Sequence, residues 1–113
     1  MRKPIVLACL LFLMAPISAN AVTHCFPDLG NTGCPWQEPF PKWQLQELSC
    51  QELWYMRNAI YDWRGYCFRT QKEKDVFDNS NCSVRNAANL PFNSNESTNL
   101  SRIRALEAQG CSR

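Results

Sequence analysis

Histidine is almost missing from this 113-residue chain, which has one, His24, and no C-x-x-C pair occurs at all. Tetrahedral Cys/His zinc chemistry therefore has neither its ligands nor its spacing. Nucleophilic catalysis needs a Ser or Cys beside a positioned base, and one histidine near a flexible terminus does not supply it. Glycine is scarce too, with four in all, and no glycine-rich phosphate loop or metalloprotease helix is present. Alternating apolar and polar runs are nearly absent, which argues against a sheet-based fold. Glu47 and Glu52, or Asp75 and Asp78, lie close enough in sequence to act as carboxylate pairs. Glu52, however, reads as a helix cap, and the two aspartates read as solvated helix charges. No catalytic residue, metal ligand or cofactor is assigned, and the expectation is a protein that is not an enzyme.

Long apolar runs are confined to the start. Met1 to Ala21 has the plan of a secretory signal peptide: Arg2 and Lys3, then Ile5 to Ile17, then Ala19-Asn20-Ala21 as the A-x-A cleavage site. The run is too short for a retained membrane span and contains Pro16, so no transmembrane segment is expected after cleavage. The mature chain has little net charge. The full sequence has 12 basic and 10 acidic residues, and losing Arg2 and Lys3 leaves 10 against 10. That balance argues against nucleic acid as a partner, and against capture by an anionic membrane.

Cysteine is plentiful. Of the seven, Cys9 leaves with the leader, and Cys25, Cys34, Cys50, Cys67, Cys82 and Cys111 remain. An even count in a short exported chain reads as a disulfide framework that supplements a small core.

Residues 22–46 carry Pro27, Pro35, Pro39 and Pro41 and form a proline-rich N-terminal arm rather than a regular helix or central strand. Cys25 and Cys34 flank the turn-forming run Pro-Asp-Leu-Gly-Asn-Thr-Gly and are expected to bond to each other. Trp36, Phe40 and Trp43 recur along the arm, either packed on the core helix or exposed as an aromatic binding strip.

The stretch the chain is built around runs from Leu48 to Phe68. Ser49 and Glu52 have capping-box spacing, Leu48 and Leu53 that of a hydrophobic staple, and Gly65 sits where a left-handed residue would stop a helix of about fourteen residues. Leu53, Met56, Ile60 and Trp63 fall on one side, with Tyr55, Asn58 and Asp62 opposite. Arg57 and Arg64 project within the apolar arc, so each needs an aromatic face or an acid, because an unpaired buried charge costs several kcal/mol. Thr70 and Glu73 open a second helix of about eight residues, anchored by Val76 and Phe77. Asn93 and Glu96 cap a third, with Leu100, Ile103 and Leu106 on its face and Gly110 as its terminator. The fold class is mainly α: a small disulfide-stabilised bundle of about three helices behind the arm. An up-down-up course predicts Cys50–Cys82 and Cys67–Cys111.

Leu53, Trp54, Tyr55, Arg57, Asn58, Ile60 and Tyr61, followed by Gly65, Tyr66 and Phe68, resemble the YARHG domain, a small bacterial domain named for a Tyr-Ala-Arg-His-Gly signature. Here the signature positions read Tyr61, Asp62, Trp63, Arg64 and Gly65, so its two ends match. The C-terminal pattern Ile103, Glu107, Gly110 and Cys111 is similar as well, which assigns residues 47–113 to a YARHG-like helical domain. The resemblance implies an exported domain of the kind met in bacterial lipoproteins and beside peptidases, in the periplasm or secreted, with no reaction attached. Two readings stay open. One is a non-catalytic cell-envelope module that binds a glycan such as peptidoglycan, or an exported protein partner, with Trp54, Arg57, Tyr61 and Arg64 as the candidate binding residues. The other is a small regulator or inhibitor of an exported enzyme such as a peptidase.

Overall fold

The computed structural model describes residues 22–111, so the leader read at residues 1–21 lies outside them. Among the described residues there are four α-helices, α1 (Lys42–Gln46), α2 (Cys50–Trp63), α3 (Gln71–Lys74) and α4 (Ser94–Gly110), with a 3₁₀ turn at Ala87–Asn89. No strand occurs among the described residues, so the mainly helical expectation holds.

Both long helices start as their caps dictate. Ser49 Oγ accepts from the Glu52 N–H at 3.1 Å, and Glu52 returns a carboxylate oxygen to the Ser49 N–H at 2.8 Å. Asn93 and Glu96 repeat the exchange at 2.9 and 2.8 Å. Each box satisfies two backbone donors that the first turn would otherwise leave orphaned.

Helix α2 is covered on two sides. Leu53, Met56 and Ile60 join Phe40, Leu45, Leu100 and Ile103 in the larger apolar cluster. Ala59 joins Phe68 and Phe77 in the second, flanked by Trp54 and Tyr55. Full burial of one such large side chain is worth about 1.5–3 kcal/mol. This double cover corrects the simple two-faced reading of the helix. Asn58, expected opposite the apolar side, is buried, and its Nδ2 donates to the Trp54 carbonyl of its own helix at 2.9 Å. Trp63, expected in the core, is the last residue of α2 and remains 45% exposed.

Helix α4 packs against α2 and α1. It runs antiparallel to α2, since Cys50 at the start of α2 bonds to Cys111 just past the end of α4, and Arg64 past the end of α2 meets Glu96 in the first turn of α4.

The described disulfides are Cys25–Cys34, as expected, with Cys50–Cys111 and Cys67–Cys82. The pairings Cys50–Cys82 and Cys67–Cys111 are thus corrected, and the reason lies in α3. It is one turn of four residues rather than eight, too short to carry the chain back along α2. The chain instead returns to where it left. Cys67 N–H donates to the Val84 carbonyl at 2.8 Å, while the Ser83 and Val84 amides donate to the Gly65 carbonyl, so Cys82 ends beside Cys67. Phe77 turns inward after α3 and is fully buried, whereas Val76 is exposed and anchors nothing.

Two smaller expectations also change. Gly110 lies within α4, and the helix ends at the disulfide-bonded Cys111, which takes the C-cap position. The arm contains the short helix α1 because Pro41 precedes it as N-cap instead of interrupting it.

Candidate functional site

The end of α2 is built from the backbone outward. Gly65 adopts φ +88°, its N–H donates to the Asp62 carbonyl at 3.0 Å, and the Tyr66 N–H reaches the Tyr61 carbonyl at 3.2 Å. These are the two bonds of a Schellman cap, and the apolar contact that accompanies it is the edge-on packing of Tyr66 against Tyr61 at 5.4 Å. A glycine is needed at that φ, because a Cβ strains the left-handed conformation.

This cap sets the directions of the residues between. Arg64 points at α4, where its Nη2 and Nε bind the fully buried Glu96 carboxylate at 2.7–3.0 Å, raising the guanidinium pKa through those hydrogen bonds. Trp63 points outward. Its ring stacks on Trp36 at 4.2 Å and 8°, and the His24 ring lies 5.2 Å away at a tilt. His24 Nε2 donates to the Asp62 carboxylate at 2.7 Å. His24 is thus held against α2 by a carboxylate and an indole, which corrects its reading as part of a flexible terminus.

Trp36 is placed from α4. Asn93 and Asn95 donate to its carbonyl at 2.9 and 3.2 Å. The buried Asn99 pins the surrounding arm: its Oδ1 accepts from the Phe40 N–H at 2.7 Å, and its Nδ2 donates to the Pro35 and Glu38 carbonyls. Arg102 adds a bond to the Phe40 carbonyl. Asn99 was visible in sequence only as part of an Asn/Ser-rich stretch, and nothing there distinguished it.

Beside the stacked tryptophans is a cleft of about 340 Å³, with Val22 and His24 from the arm, Asp62 and Tyr66 from the end of α2, and Asp78 and Asn81 from the following loop. A second, more apolar groove of about 260 Å³ lies between Phe26, Leu29, Leu48 and Met56. Among the described residues no group of three His, Cys, Asp or Glu side chains could hold a metal ion.

The four residues picked out in sequence do not converge on either hollow. Trp54 packs on Phe77 with Lys72 Nζ 4.5 Å above its ring. Arg57 makes a bidentate pair with Glu107 at 2.8 and 3.1 Å, so of the aromatic face or acid its position called for it takes the acid. Tyr61 lies against Tyr66 and Phe92, with Arg104 as the cation over its ring. Arg64 is held by Glu96. The exposed tryptophans are Trp63, on which the half-buried Trp36 stacks, and Trp43, which is 60% exposed on α1.

The YARHG domain model matches residues 35–108. The chain belongs to the YARHG domain family. No curated protein and no solved structure matches it. In this YARHG domain the two signature ends present, Tyr61 and Gly65, are the residues the Schellman cap uses. The matched region takes in Pro35–Gln46 of the arm as well as the helices, in keeping with an arm bonded to α4 through Asn93, Asn95, Asn99 and Arg102.

Proposed function

We propose that this YARHG domain is exported with cleavage after Ala21 and acts in the cell envelope as a non-catalytic module that binds glycan through Trp63 and Trp36. The observation that carries this reading is the solvent-open Trp63, stacked on Trp36 and bordered by the polar His24 and Asp62. A rigid aromatic plane accepts the apolar CH face of a sugar ring, and neighbouring polar atoms take its hydroxyls. Leaving a large indole in water forgoes burial energy, so the module offers this surface at a cost to its own stability.

Export is supported by the A-x-A leader and by three disulfides, which persist in oxidising compartments. Among the described residues no helix is long and apolar enough to cross a membrane. The non-catalytic reading is supported by the engagement of the reactive groups: Cys25, Cys34, Cys50, Cys67, Cys82 and Cys111 are bridged, and His24 is tied to Asp62.

A pull-down of the mature protein against isolated cell wall and, separately, periplasmic extract tests this. Retention on wall that is lost in Trp63→Ala supports the glycan module. Enrichment of a single exported enzyme, with no wall retention, contradicts it in favour of a small regulator or inhibitor of such an enzyme.

A further inference from the structure

The cleft beside Trp63 has acidic walls. The charged and titratable groups lining it are Asp62, Asp78, His24 and Tyr66, and no lysine or arginine is among them. Asp78 is held ionised by Ser80, whose hydroxyl and amide donate to it at 2.6 and 2.8 Å and lower its pKa. Asp62 has its one side-chain bond with His24.

Val22 also lines the cleft. Its side chain packs against the Ala59, Phe68 and Phe77 cluster, and the residues after it are fixed in turn. The Thr23 N–H donates to the Tyr55 hydroxyl at 2.9 Å, His24 binds Asp62, and Cys25 is locked to Cys34. Val22 is also the residue that cleavage after Ala21 turns into the N-terminus. In the precursor its nitrogen is a neutral amide. In the mature chain it is an ammonium of pKa about 7.7–8.0 in the unperturbed case.

We propose that leader removal creates the cation this cleft lacks: the Val22 α-ammonium pairs with the Asp78 and Asp62 carboxylates and fastens the start of the arm to the end of α2. This inference rests on the export reading above. The same carboxylate, Asp62, holds His24 against Trp63, so the new pair adds a charged anchor at the edge of the binding surface. Before cleavage the Val22 nitrogen is a neutral amide, and no lysine or arginine lines the cleft beside Asp78.

The test uses the mature chain beginning at Val22, the same chain acetylated at the Val22 nitrogen, and Asp78→Asn in each. Acetylation is expected to lower the melting temperature by about 3–6 °C at low ionic strength, the order that one weak ion pair produces in a domain of this size. The shift is expected to shrink in 1 M salt. Asp78→Asn should cost a similar amount in the free-amine protein and almost nothing once the amine is blocked. Equal effects of Asp78→Asn in both backgrounds, or no shift on acetylation, overturn the proposal and leave the export reading intact. N-terminal sequencing of the exported protein separates the two: any terminus other than Val22 overturns this proposal while export itself stands.

Discussion

Arg64 at the C-cap of α2 and Glu96 at the third position of α4 close one end of the antiparallel helix pair. Each charge suits the helix end it belongs to, cation at a C-terminus and anion at an N-terminus. Glu96 also completes its own capping box, so one buried carboxylate serves the Asn93 N–H and the guanidinium together. Removing Arg64 leaves that carboxylate buried without its counter-charge. Arg64→Ala is expected to destabilise the domain by about 3 kcal/mol, toward the lower bound for a broken buried pair because Arg64 itself is partly exposed. Urea unfolding at neutral pH measures it.

Gly65 is the second determinant of that end. Gly65→Ala forces a Cβ into φ +88° with the Ser83 hydroxyl 3.1 Å away. The expected loss is about 1–2 kcal/mol, read from the same unfolding curves. A neutral or stabilising result would mean that the Schellman cap is absent in solution.

At the opposite end the covalent staple spans 61 residues between Cys50 and Cys111, against 15 between Cys67 and Cys82. Loop-closure entropy then ranks them, with about 4 kcal/mol for the longer and about 3 kcal/mol for the shorter. Replacing each pair by serine and comparing unfolding midpoints should preserve that order. Peptide mapping of the unreduced protein should yield Cys50 linked to Cys111 and never to Cys82.

Glu38 gives the fold an acid-sensitive corner. Its carboxylate accepts from the Thr32 and Asn31 amides and the Thr32 hydroxyl, which lower its pKa from 4.5 to about 2. A folded-state pKa below the unfolded one stabilises at pH above about 4.5, and this contribution fades as pH falls towards 2. Glu38→Gln should therefore lower stability at pH 7 and leave it nearly unchanged at pH 2. Thermal melts across that range provide the check.

Asn99 pins the arm from within. With Asn99→Ala the Phe40 N–H and the Pro35 and Glu38 carbonyls lose their partner, and at about 1–3 kcal/mol per buried orphan the arm should loosen before the helices do. Hydrogen exchange is expected to accelerate over residues 35–40 while α2 stays protected.

The helix starts and the main stop were legible in sequence because each is local: Ser49 with Glu52, Asn93 with Glu96, and Gly65 one turn after Tyr61 use neighbours a few residues apart. Arg57 and Arg64 called for an aromatic face or an acid, but Glu107 and Glu96 lie 50 and 32 residues away, and spacing alone could not choose them. The disulfide exchange was missed for a similar reason. Thr70 and Glu73 signal a helix start without fixing its length, and it is the brevity of α3 that sends Cys82 back to Cys67. Trp63 sat on the apolar arc by periodicity, yet at the last position of α2 the helix has run past the core that covers Ile60. Trp54, Arg57, Tyr61 and Arg64 were legible as an aromatic and cationic group, but not the partners that engage them, which come from distant segments.

The central claim is that the open Trp63 face, backed by Trp36, is the binding surface. A fluorescence titration of the mature protein with a soluble peptidoglycan fragment addresses it most directly, run in parallel on Trp63→Ala with folding confirmed by its melting curve. If the open Trp63 face binds glycan, the wild-type protein gives a saturable change and the folded variant at least a tenfold weaker affinity, a loss of about 1.4 kcal/mol or more. Equal affinity in the two proteins, or no binding by either, contradicts it.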